Sequence, residues 1–140
     1  LVLTSMLNWN NNTLRSLNVD NPYYQSIGQE TAIHFAKMLQ IINSGVERSS
    51  LRKHEFTCTA IYAIVDHLLD NNKLKFLDLG CNKISSRGVK ELGSISLVSI
   101  VHLVVYSRFC RTGHYGAKAI TQALSKNRSL VHLDMTRNGI

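Results

Sequence analysis

Between Leu74 and Ile84 the chain places Leu74, Leu77 and Leu79 at spacings of three and two, then Asn82, then Ile84. The C-terminal residues repeat the pattern as Leu130, Leu133, Met135, Asn138 and Ile140. Such self-similarity constrains the fold more than composition does, because each copy must bury its apolar side against the next. Weaker copies fit the same spacing at Leu14, Leu17 and Val19, at Val46, Ser49 and Leu51, and at Ile100, Leu103 and Val105. The copies start near residues 14, 46, 74, 100 and 130, stepping by 32, 28, 26 and 30 positions.

Helical spacing takes over between these short pieces. In Ala60–Leu68 and Gly116–Leu124, small and aliphatic residues recur every four positions, which keeps one helix face buried. Each unit therefore reads as strand, loop, helix. Asn11, Asn71 and Asn127 each lie three residues before a leading Leu, where a helix must stop, and the left-handed conformation that Asn tolerates is expected there. One unit has too few aliphatics to offset the entropy of ordering its backbone, so stacking on neighbours is required. Residues 1–13 read as the tail of a preceding repeat helix, and the last of the repeats in 14–140 is truncated before its helix. A piece of a longer array, held by flanking repeats or a larger assembly, is the expectation.

These residues resemble leucine-rich repeats of the ribonuclease-inhibitor-like type, over residues 14 to 140, with the motif most specific at 74–92 and 116–140. Ser16–Pro22, Lys53–Thr59 and Leu68–Asn82 carry a narrower resemblance within the family. The resemblance implies an α/β leucine-rich-repeat solenoid, a right-handed β-α superhelix with a parallel sheet on the concave face and helices on the convex face. It also implies an intracellular, non-enzymatic scaffold, nuclear or nucleolar or cytoplasmic, with a cilium as another setting. Three departures stand out. Pro22, His54 and Arg108 replace the buried Asn in the first, second and fourth copies, Ser49 replaces a core Leu, and residues 93–115 fit poorly enough to be expected irregular.

Alternate strand residues face opposite sides of a sheet, so the non-consensus positions form a grid on the concave face. It comprises Ser16, Asn18 and Asp20; Arg48, Ser50 and Arg52; Phe76, Asp78 and Gly80; His102, Val104 and Tyr106; and His132, Asp134 and Thr136. From it, Arg48, Ser50, Arg52, Phe76, Asp78, His102, Val104, Tyr106, His132 and Asp134 are the candidate partner-binding residues, since aromatics flanked by charge anchor protein interfaces. Asn82 and Asn138 read as a structural ladder satisfying turn backbone groups. The expected partner is a protein of unknown identity.

Chemistry of the chain's own finds little support. His54 and Cys58 have half of a metal-site spacing but no second pair follows, and the glycines form no phosphate-cradling loop. Cys58, Cys81 and Cys110 lack paired short spacings and suit a reducing compartment, and Cys81 and Cys110 read as small buried hydrophobes. No catalytic residue, metal or cofactor is expected. The stretch Ile95–Tyr106 is too short to cross a bilayer and reads as a buried central strand. The formal charge of +7 concentrates in residues 100 to 140, with 6 basic groups against 1 acidic, but the basic residues are scattered singly, so direct nucleic-acid binding is disfavoured. Two rivals remain: RNA or ribosome-precursor binding through that region, and GTPase activation through Arg108 or Arg111.

Overall fold

A computed structural model describes residues 13–21, 28–40, 45–69, 71–94, 102–104 and 113–138. Strands and helices alternate: β1 (Ser16–Asn18), α1 (Gly28–Gln40), β2 (Arg48–Ser50), α2 (Cys58–Leu68), β3 (Phe76–Asp78), α3 (Ser86–Ser94), β4 (His102–Val104), α4 (Gly113–Leu124) and β5 (His132–Asp134). The five strands form one parallel sheet in chain order. Parallel neighbours cannot be joined by a tight turn, so each connection carries a helix.

The register runs Leu17↔Ser49↔Leu77↔Leu103↔Leu133, aligning the central residue of every copy. β4 keeps this register although residues 93–115 were expected to be irregular; Ile95–Val101 and Val105–Tyr106 lie outside the described residues. Leu77 points into the same core as Ala60, Ile61 and Ile64 of α2 and Val89 and Leu92 of α3, all at most 1% exposed. Ser49 is buried there too, its hydroxyl 3.5 Å from the Leu17 carbonyl.

Asn71 and Asn127 end their helices by hydrogen bonding rather than by the expected left-handed backbone. Asn71 Oδ1 accepts from the amides of Lys73 and Leu74, while its Nδ2 donates to the Leu39 carbonyl of the previous unit at 2.6 Å. Asn127 Oδ1 repeats the local part on Ser129 and Leu130. Left-handed non-glycine residues stand instead after the strands: Lys53, Cys81 and Arg137, each immediately before a ladder position, with φ of 64°, 57° and 59°. Glu55 adds a second at 60°, only in the turn where His54 replaces Asn.

Candidate functional site

The sheet has one face on the core and one open face. On the open face the residues two apart along each strand line up across strands into rows. The first row holds Ser16, Arg48, Phe76, His102 and His132, and the second Asn18, Ser50, Asp78, Val104 and Asp134. Arg48 is exposed and its guanidinium carbon lies 4.4 Å from the centroid of the half-buried Phe76 ring, a cation–π contact between neighbouring strands. His132 is exposed at the far end of the row.

The second row is partly structural. Asn18, Asp78 and Asp134 each use Oδ1 to accept the amide two residues on, at Asp20, Gly80 and Thr136, with distances of 2.8 to 2.9 Å. These side chains shape the turn that follows each strand. Asp78 and Val104, expected on an accessible surface, are buried at 8% and 9% exposure, because residues of both flanking strands crowd the middle of the sheet. Burial pushes the Asp78 carboxyl up; the Gly80 amide and Arg52 pull it back, and Asp20 and Asp134 push it up further.

Arg52 is similarly committed. Its Nη1 is 4.0 Å from Asp78 Oδ2, its Nη2 donates to Cys81 Sγ at 3.8 Å, and its amide donates to Asp20 Oδ1 at 2.9 Å. Ser50 Oγ donates to that same Asp20 oxygen at 2.6 Å. Along the start of the strands, Glu47 sits between Arg15 and Lys75, at 3.9 and 3.1 Å, an ion-pair row that pattern reading missed because its partners lie about one repeat apart. The side chain of His102, and Tyr106 altogether, lie outside the described residues.

Asn82 is fully buried and links two units. Its Oδ1 accepts from the amides of His54 and Phe56, and its Nδ2 donates to the carbonyls of Leu51 and Leu79. Asn138 makes the equivalent bond within its own unit, to the Met135 carbonyl at 2.8 Å. His54 holds the ladder position one unit earlier. Its Nε2 lies 2.6 Å from the Val19 carbonyl, the counterpart of Leu51 in the Asn82 bond, and since a carbonyl only accepts, Nε2 carries the proton. The ring stacks on Phe56 at 5.0 Å.

Cys58 turns instead to Ser85, with Sγ and Oγ 2.8 Å apart, so it does not join His54 in a shared site. Burial pushes its thiol up, but hydrogen bonds from Ser85 and from backbone amides bring it net below the usual range. Cys58 and Cys81 are free and half-buried, so Cys81 is not the buried hydrophobe expected; Cys110 lies outside the described residues. Among the described residues, no group of three or more His, Cys, Asp or Glu could hold a metal ion, and no helix is long and apolar enough to cross a membrane.

Parallel strands in register with a buried asparagine linking successive turns are features of leucine-rich-repeat folds, and the Leucine Rich repeat family model matches residues 70–93 and 126–140. Within that class, the chain is similar to Leucine-rich repeat-containing protein 34 of Homo sapiens, 30% identical over 71 residues, in line with the narrower resemblance of Ser16–Pro22, Lys53–Thr59 and Leu68–Asn82. That alignment covers 51% of this chain, which spans only 15% of the length of the curated relative. Among solved structures, Leiomodin-1 Actin-Binding Site 2 has a TM-score of 0.83 at 21% identity, covering 94% of this chain and 76% of that one. The tropomodulin C-terminal domain of Caenorhabditis elegans has a TM-score of 0.75 at 15% identity, covering 96% and 81%. At these identities the likeness is one of fold.

Proposed function

We propose that the chain is a non-enzymatic protein-binding scaffold whose open sheet face is the concave side of a right-handed, ribonuclease-inhibitor-like solenoid. The observation that carries this reading is the first row. Arg48 held over Phe76, with His132 in line, puts a cation, an aromatic and an imidazole on a surface that the molecule's own core does not use. The steps of 32, 28, 26 and 30 residues average 29, at the upper end of the leucine-rich range, which supports the subclass. Actin is the first candidate partner, because the leiomodin-1 segment whose fold this chain shares is an actin-binding site. An intracellular setting, nucleolar, cytoplasmic or ciliary, is proposed on the free cysteines and the resemblance.

Lysine crosslinking to a bound partner tests the choice of face. Lys75 immediately precedes β3, next to Phe76 of the first row, whereas Lys37, Lys90 and Lys118 are on helices. Crosslinks concentrated on Lys75, with partner recovery lost in Arg48→Glu and circular dichroism unchanged, are the expected outcome. Crosslinks confined to the helix lysines would overturn the open-face reading. Actin co-sedimentation supplies the first partner to try. GTPase activation rested on Arg108 and Arg111, which lie outside the described residues. The geometry of the described residues does not favour it, or RNA binding, over the scaffold.

A further inference from the structure

We propose that the open face takes an amphipathic helix laid across the strands, with an acidic flank over Arg48 and His132 and a basic flank over Asp134, beside the buried Asp78. This deepens the scaffold reading and rests on it. Two observations about charge point the same way.

Among the described residues no carboxylate pairs with Arg48, although Arg15, Arg52, Lys75 and Lys83 each have one within 4.0 Å. The contact with Phe76 holds the guanidinium carbon 4.4 Å from the ring centroid, and a planar carboxylate of a partner is the group that matches guanidinium N–H donors. The neighbouring row has the opposite sign. Asp78 and Asp134 flank the apolar Val104, and each spends Oδ1 on its own turn, so Oδ2 is outside that bond. Arg52 Nη1 lies 4.0 Å from Asp78 Oδ2, and Asp20 and Asp134 add repulsion to that carboxylate. A cation from a partner relieves that repulsion.

Spacing selects the shape of the occupant. Parallel strands are about 4.8 Å apart and a helix advances about 5.4 Å per turn, so a helix across the sheet meets roughly one strand per turn and drifts only about 0.6 Å at each. An extended segment presents same-side residues about every 6.8 Å and falls out of step with the strands within a few residues. The two rows lie about 6.8 Å apart, within the roughly 10 Å breadth of a helix, so its two flanks reach both at once.

The test uses synthetic peptides of about 18 residues, five helical turns, and fluorescence anisotropy. One carries Glu on one flank, Lys on the other and Leu between; a second has the same composition with Glu and Lys interleaved; a third is the first with a central proline. The segregated peptide is expected to bind about tenfold more tightly than either control and to lose about tenfold on Arg48→Glu. A peptide with Lys on both flanks is expected to prefer Arg48→Glu over the unaltered chain, a gain that misfolding cannot mimic. Equal binding of the segregated and interleaved peptides, or an unaffected Arg48→Glu, overturns the proposal. Undiminished binding of the proline peptide overturns the helical occupant. Should these fail while Lys75 still crosslinks to a partner, the scaffold reading stands and only the kind of occupant falls.

Discussion

A single histidine shows what the ladder position demands. Asn82 meets both requirements of its site, accepting two amides of the preceding unit and donating to carbonyls on both sides of the junction. An unpaired buried polar group costs about 1 to 3 kcal/mol, so the amide is a structural part rather than a binding one. His54 keeps the bond across the junction to Val19 and loses the second: among the described residues its buried Nδ1 has no partner. Burial holds His54 below the ordinary histidine pKa, against the opposing pull of the Val19 carbonyl and Asp20. Above about pH 6.5 the ring is neutral in both folded and unfolded chains and its contribution is intact. As the pH drops below that value the unfolded chain takes up the proton first, so stability falls until the folded ring titrates too. His54→Asn is expected to remove this part of the pH dependence. Urea midpoints measured between about pH 7 and 5 check it, and an unchanged slope in the variant would refute the assignment.

At the scale of elements, close helix packing rests on small residues. Ala32, Ala60, Gly88 and Gly116 are all buried. At Gly88 a Cβ would lie 2.8 Å from Ile84 Cγ2 and 3.4 Å from Cys58 Sγ at the start of α2. The branched Ile84 side chain is fully buried and has no room to swing aside. Helix propensity alone favours alanine by about 1 kcal/mol. Overpacking costs about 1 to 3 kcal/mol, and the contact is tight enough that we expect Gly88→Ala to destabilise on balance. Chemical denaturation measures the sign, and a stabilised variant would show that α3 shifts freely against α2.

For the whole molecule, stability depends on position in the array. The positions filled by Leu74, Leu77 and Leu79 in β3 and its flanks are at most 1% exposed, whereas Leu130, Leu133 and Met135 are half-buried beside β5, the edge of the sheet among the described residues. Leu68 and Leu124, at matching places in α2 and α4, are 5% and 39% exposed. Nearest-neighbour stacking makes the same substitution cost more inside than at an edge. Leu74→Ala is therefore expected to cost about 2 to 5 kcal/mol, and Leu130→Ala less than half of that. Comparable losses in urea unfolding would contradict an array held together by neighbour contacts.

Spacing alone determined the strand–helix unit and the strand register, because a leucine every few residues has one way to be buried when copies stack. It also exposed the odd residues, Ser49 and His54, as breaks in an otherwise repeating code. Tertiary structure decided what the break at His54 does, since its partner Val19 is 35 residues away and no local pattern records it. It also sorted the grid: Arg48 and Phe76 meet only through β2–β3 pairing, while Asp78 and Asp134 look alike in sequence, each giving one carboxylate oxygen to its own turn, yet only Asp78 is buried. Periodicity reports which side of a strand a residue occupies. Whether that residue is accessible, paired or already committed depends on neighbours about one repeat away, which only folding brings together.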